Sequence, residues 1–192
     1  MRVSLVEHLE HYLGEIQDGW KPNDAEHSTP FQVVRYRGAF EGSVAFSTLG
    51  LSRHVLRSRV SLKSLRCELI VMARDSGEWI PRLLDQIGCE ICLSAFAPLR
   101  GDVIGPRGRI ADQFAMTSFY VSVPVWLPDE FACCELPNGE QVVFVWLIPV
   151  HSCETEFIEQ YGWQRFEDEL EKQDPDLLDM QREAIVEPSA TS

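Results

Sequence analysis

The stretch that decides the fold runs Leu136-Pro137-Asn138-Gly139-Glu140-Gln141-Val142-Val143-Phe144-Val145-Trp146-Leu147-Ile148-Pro149-Val150. Pro-Asn-Gly is strong turn chemistry, because Asn and Gly tolerate a positive φ angle. The residues after Gly139 are almost continuously apolar and are β-branched or aromatic, which is typical of a strand covered on both faces. We expect Pro149 to end this strand. Alternate side chains should divide between a main core and a second layer.

An acidic segment that still carries aromatic residues follows this strand. Ser152 can cap a helix whose first turn holds Glu154 and Glu156, and Gly162 can end it. A second helical stripe at i, i+3 and i+7 consists of Trp163, Phe166 and Leu170. A buried strand that leads into such an arm indicates a rigid platform that displays negative charge, rather than a catalytic centre.

The rest of the chain alternates between helical and strand patterns. Residues 3–18 predict an amphipathic helix, and Asp75-Ser76-Gly77-Glu78 resembles the start of a second one with an apolar stripe from Ile80 to Ile91. Strand patterns cover residues 31–37, 43–49, 65–73, 119–123 and 131–136. We therefore predict a single α+β domain over residues 1–180, with a mixed, largely antiparallel sheet packed by helices. Residues 181–192 are predicted to form a flexible tail.

The charge is distributed unevenly along the 192 residues. Residues 1–110 carry 14 Lys/Arg and 13 Asp/Glu, a net charge of +1, whereas residues 111–192 carry 3 and 17, a net charge of −14. A strongly acidic half repels nucleic acid and anionic membranes, and it attracts basic proteins. The alternative explanation is that the charge only keeps the protein soluble. The chain has no apolar run of about 20 residues that would span a membrane.

The motifs that would indicate catalysis or metal binding are incomplete. Cys89-x-x-Cys92 lacks a second ligand pair of zinc-site spacing, although His151-x-Cys153 could supply ligands if the fold brought the two together. The glycines at 101, 105 and 108 lack the Lys-Ser/Thr of a phosphate-binding loop, and no Gly-x-Ser-x-Gly elbow occurs. We therefore expect no catalytic residue, no metal and no cofactor. The irregular spacing of the six cysteines favours a reducing cytoplasm over a disulfide framework.

The residues available to a protein partner lie in three places. The candidate partner-binding residues are Arg107, Arg109, Asp129, Glu130, Glu167 and Asp168. The two arginines belong to a long glycine-containing connection, residues 96–115, and such connections often carry function. The first acidic pair approaches a turn, and the second acidic pair lies on a predicted helix. For such acids a solvated face is the alternative.

Several segments of the chain resemble the bacterial suppressor-of-fused domain family. They are Val44-Ala45-Phe46-Ser47-Thr48-Leu49-Gly50-Leu51-Ser52, Cys67-Glu68-Leu69-Ile70-Val71, Phe144 to His151, Glu154 to Trp163 and Asp174-Pro175-Asp176-Leu177-Leu178-Asp179. The resemblance covers roughly residues 31–179. It implies a single domain of the kind associated with polymorphic toxin loci, where such domains act as immunity proteins. No catalytic residues define that family.

Three hypotheses for the function follow. The leading one is a non-enzymatic protein-binding module, an immunity-type protein that neutralises a toxin by covering it, with a basic toxin as the candidate target. The second is a regulatory or scaffold protein that captures a peptide along a sheet edge. The third and weakest is an enzyme whose distant residues converge in the fold.

Overall fold

The structure, a computed structural model, describes residues 4–21, 30–37, 40–74 and 77–187. The helices are α1 (Leu5–Leu13), α2 (Ile80–Ser94), α3 (Ser152–Tyr161) and α4 (Trp163–Gln173). The strands are β1 (Ile16–Trp20), β2 (Gln32–Tyr36), β3 (Val44–Leu49), β4 (Leu56–Arg57), β5 (Ser64–Leu65), β6 (Cys67–Ala73), β7 (Val103–Ile104), β8 (Ser118–Ser122), β9 (Cys133–Glu135) and β10 (Gln141–Val150). Short 3₁₀ helices cover Leu51–Arg53 and Asp129–Phe131.

In the described part of the chain, eight strands form one sheet in the order β1-β2-β3-β6-β10-β8-β7, with β9 also paired to β10. The β10–β6 pair is parallel, and the other pairs in this sheet are antiparallel. Strands β4 and β5 pair with each other in a separate two-stranded sheet. The predicted single α+β domain with a mixed, largely antiparallel sheet is confirmed.

Strand β10 is covered on both faces, as its apolar run predicts. Val145 and Leu147 face a core that includes residues of α2. Trp146 and Ile148 face a second core that contains residues of α1, α3 and α4. The sheet is therefore the middle of three layers, and β10 carries side chains into both cores.

Pro149 does not end the central strand, contrary to the expectation from sequence. Strand β10 continues to Val150, and Pro149 lies opposite Phe119 of β8. The parallel register with β6 ends at Trp146. Because β6 no longer accompanies β10 at Pro149, the missing N–H group of the proline interrupts no pairing on that side.

The predicted first helix, residues 3–18, is too long, because its last residues belong to strand β1. Helix α1 ends at Leu13, because Gly14 adopts a φ of 86° and its N–H group bonds Glu10 O. Ile16 fits the apolar spacing of the helix only by coincidence. It is the first residue of β1, which pairs with β2 at the edge of the sheet. Residues 22–29, in the predicted connector, and Asp75-Ser76, in the predicted helix start, lie outside the described residues.

A buried carboxylate organises the turn that follows β3. Glu68 is fully buried and accepts five hydrogen bonds: from Thr48 Oγ1 (2.6 Å), Gly50 N (2.9 Å), Leu51 N (3.2 Å), Ser52 N (3.1 Å) and Ser52 Oγ (2.7 Å). Burial raises the pKa of Glu68, and the hydrogen bonds oppose that rise. Thr48 and Ser52 in this turn thus satisfy one buried acceptor that would otherwise lack hydrogen bonds.

A buried ion pair holds the C-terminal segment against α3. Arg182 donates to both carboxylate oxygens of Glu154, at 2.7 and 2.8 Å, and to Pro149 O at 3.1 Å. Glu154 also accepts the backbone N–H groups of His151 (2.8 Å) and Ile185 (3.1 Å). Arg182 and Ile185 of the predicted tail thus contact the domain, and we propose a domain boundary after Ile185. Residues 188–192 lie outside the described residues.

Candidate functional site: an acidic tryptophan cleft

A cleft of about 330 Å³ lies between α4 and the loop of residues 123–128. Trp126 and Trp146 line it together with Ile148 from β10 and Leu170 from α4. We call this feature the tryptophan cleft. It is positioned by the fold, because β10 and β8 place its floor and the packing of α4 on the second core places its wall.

The loop that borders the tryptophan cleft exposes apolar side chains. Val123 is 37% exposed, Val125 is 57% exposed and Trp126 is 37% exposed. The Trp126 ring packs on the buried Trp146 ring, with centroids 5.0 Å apart and planes inclined by 56°. Adjacent exposed apolar residues on a polar rim are typical of an interaction site, whereas single exposed ones are ordinary.

Unpaired carboxylates form part of the rim. Glu171 and Asp174 line the cleft and are exposed. Within the described residues, neither carboxylate group forms a hydrogen bond or an ion pair. Asp174 caps α4 in a left-handed conformation, with φ 45°. The C-terminal end of a helix carries partial negative charge, so the backbone adds to the negative potential of these side chains.

Glu167 lines the same cleft but is already paired. Its carboxylate accepts hydrogen bonds from Arg100 Nε (2.9 Å), Arg100 Nη2 (2.6 Å) and the Tyr120 hydroxyl (2.7 Å). Burial, then the hydrogen bond to Glu167, raises the pKa of Tyr120. Glu167 therefore attaches α4 to β8, which differs from the solvated face that was the alternative for this acid, and partner binding by Glu167 stays a prediction. Asp168 is exposed and, within the described residues, has no partner for its carboxylate.

The predicted acidic pair Asp129 and Glu130 lies directly after the loop of the cleft. Both residues are exposed and belong to the 3₁₀ helix Asp129–Phe131. Phe131 anchors this turn, since it is fully buried and stacks on Phe144 with centroids 4.8 Å apart. The two acids are thus exposed on a turn that follows the cleft loop in the chain and that Phe131 anchors to the core.

The two predicted arginines lie elsewhere. Arg107 makes a bidentate ion pair with Glu90 of α2, one contact at 2.8 Å, and Arg109 donates to Asp112 O at 3.3 Å. Both arginines line a different depression, beside α2, with Trp79. Partner binding by Arg107 and Arg109 stays a prediction, and the tryptophan cleft does not include them.

The described residues contain no group of three or more His, Cys, Asp or Glu that could hold a metal ion. All six cysteines are free thiols, and burial raises the pKa of Cys89 and Cys92, which disfavours reactive thiolates. No helix in this part of the chain is long and apolar enough to cross a membrane. The side chains of the tryptophan cleft are suited to binding.

Sequence reasoning missed Val125 and Trp126. The signal was available in Pro124-Val125-Trp126-Leu127-Pro128, an apolar run bounded by two prolines. Two prolines so close together disfavour an internal strand, because each removes a ladder donor. An apolar segment that cannot pair in a sheet is a candidate for an exposed binding loop.

Comparisons with known proteins identify relatives of the whole domain. The sequence profile of the family described as suppressor of fused protein (SUFU) matches residues 27–183. The chain is 26% identical over 147 residues to the immunity protein YqcF of Bacillus subtilis (strain 168), a match that covers 76% of each chain.

Two solved structures share the fold. A SUFU homologue from Neisseria gonorrhoeae FA 1090 superposes with a TM-score of 0.76 at 16% identity, covering 95% of this chain and 94% of that chain. A chain of the Sufu–Fu complex superposes with a TM-score of 0.71 at 14% identity, covering 94% of this chain and 90% of that chain. At these identities the two superpositions establish the fold alone.

Proposed function

The chain belongs to the suppressor of fused protein family, as its motifs indicate, and from this premise we propose that it is a non-enzymatic protein-binding module of the immunity type, which neutralises a toxin by direct binding. The relative named as an immunity protein supports this role, since the similarity extends over three quarters of both chains. The Sufu–Fu complex supports protein binding as the general activity of the fold. The free thiols fit a reducing cytoplasm as the compartment.

The tryptophan cleft is the observation that carries this proposal. Partly exposed tryptophans are the residues that most often dominate binding energy at protein interfaces. Here Trp126 lines the cleft with Glu171 and Asp174, and the exposed acids Asp129 and Glu130 follow its loop in the chain. A basic partner would be attracted by the acids and anchored by the apolar loop. We therefore propose a basic toxin as the target.

The sheet edge supports a second candidate function. Strand β1 lies at the end of the sheet order, so its outer backbone groups have no neighbouring strand in the described residues. Four of its five residues are exposed. An extended peptide could add to this edge, which is the regulatory or scaffold alternative.

Binding kinetics test the proposal. The partner is recovered by pull-down from the native host, identified by mass spectrometry and measured by surface plasmon resonance. Because steering by exposed charges is screened by salt, we expect the association rate to fall at least about tenfold between low and high salt, with a smaller change in dissociation. The charge reversal Asp129→Lys/Glu130→Lys should weaken binding without unfolding the protein.

A matched variant controls for the change in net charge. Glu156 and Glu159 are exposed acids on α3, outside the tryptophan cleft, so Glu156→Lys/Glu159→Lys should retain nearly full affinity. A salt-independent association rate, together with full binding by the Asp129/Glu130 variant, would refute electrostatic capture and favour the β1 edge.

A further inference from the structure

The tryptophan cleft has the chemistry of a receptor for one cationic side chain. Resting on the proposed function, we infer that the cleft receives a single lysine or arginine side chain of the partner. Its volume of about 330 Å³ is at the lower end of small-ligand pockets, which suits one long side chain and excludes a helix.

The cleft's lining matches both parts of such a side chain. A cation is attracted to the face of an aromatic ring, most strongly to tryptophan, within about 6 Å of the centroid. Trp126 offers a partly exposed ring for the charged group. Ile148, Leu170 and Leu177 provide apolar surface for the methylene stem.

The negative charge at the rim favours a positively charged side chain in the cleft. Of the charged residues that line the cleft, Arg100 and Glu167 neutralise each other as a bidentate pair. Glu171 and Asp174 remain, so the rim has an uncompensated charge of −2. An acidic side chain would be repelled, and a neutral one would leave both carboxylates without a partner at the interface.

The molecule already uses the same chemistry next to the cleft. The Arg100 guanidinium lies over the Trp163 ring, 5.3 Å from its centroid, while it pairs with Glu167. Arg100 therefore has an aromatic face and a carboxylate of its own. The exposed Trp126 ring and the free carboxylates offer the equivalent pair of contacts to a second cation.

Nuclear magnetic resonance tests this inference directly. The indole N–H signal of Trp126, assigned with Trp126→Phe, is followed while a capped hexa-arginine peptide is added to the full chain. The matched probe is hexa-citrulline, which has the same shape without the charge. We expect a saturable shift with hexa-arginine and little or none with hexa-citrulline.

Variants of the rim locate the effect. Glu171→Gln/Asp174→Asn should weaken hexa-arginine binding by at least about twofold, since each exposed ion pair contributes about 0.2–1 kcal/mol. Glu156→Gln/Glu159→Gln makes the same change in net charge on α3 and should weaken binding less. Equal shifts with both peptides, no shift of Trp126, or equal weakening by both double variants would overturn the inference.

The two proposals fail in different ways. If the partner from the pull-down binds the wild type and loses affinity with Trp126→Ala, but hexa-arginine leaves the Trp126 signal unchanged, the cation receptor is refuted and the protein-binding function stands. If hexa-arginine binds as expected but no protein is retained from the host, the receptor stands and the proposed function is refuted.

Discussion

Trp146→Ala is expected to lower the free energy of unfolding by about 3–5 kcal/mol, as large aromatic deletions in cores do. Trp146 is 1% exposed and lies at the centre of β10, the strand that pairs with β6 and β8. Its removal would leave a cavity in the second core under α4. Urea denaturation followed by circular dichroism measures the change.

Trp126→Ala is the matched control for this prediction. Its ring packs on Trp146 but is 37% exposed, so its deletion should cost less than half as much and leave a folded protein for binding assays. If Trp146→Ala unfolds at the wild-type urea midpoint, β10 is not the buried centre of the fold.

Arg182→Met is expected to cost about 3–5 kcal/mol, the range found when one partner of a buried ion pair is removed. Arg182 and Glu154 have side chains that are 5% and 0% exposed, so the Glu154 carboxylate would lose its cation in a site closed to solvent. We expect the C-terminal segment from residue 176 to detach before the rest unfolds. Urea denaturation gives the stability, and limited proteolysis reports the detachment.

A double-mutant cycle separates the ion pair from the packing of the long side chain. Glu154→Met/Arg182→Met should cost less than the sum of the single variants, by about 1 kcal/mol or more. Arg165→Met replaces an exposed arginine on α4 and should change stability by at most about 0.5 kcal/mol. Strict additivity in the cycle would show that the pair does not act as a unit.

The elements that could be predicted from sequence are those whose signal is local. Strand β10 and helix α2 are each specified by a continuous apolar pattern, and both were predicted. Strand β1 has no such pattern, since Ile16-Gln17-Asp18-Gly19-Trp20 is a strand only through its pairing with β2. The prediction that Pro149 ends the strand was wrong for the same reason. A proline is tolerated there because the pairing of β10 with β6 ends at Trp146.

The candidate site shows the same division. Of the four acids predicted from sequence, only Glu167 lines the cleft, whereas Glu171 and Asp174, which also line it, were not predicted. The role of a carboxylate in the fold depends on partners distant in sequence. Glu167 is paired with Arg100, 67 residues away, and Glu154 with Arg182, 28 residues away. The hydrophobic periodicity of the sequence does not predict such ion pairs. Trp126 lines a cleft only because α4 packs opposite its loop, which is a property of the tertiary structure.

Hydrogen exchange of the chain, free and bound to the partner from the pull-down, tests the central claim most directly. We expect binding to slow exchange in residues 123–130 and in the C-terminal half of α4, the two sides of the tryptophan cleft. The exchange rates in α2 should not change. Protection confined to β1, with exchange at the cleft the same in both states, would contradict the account and place the partner on the sheet edge.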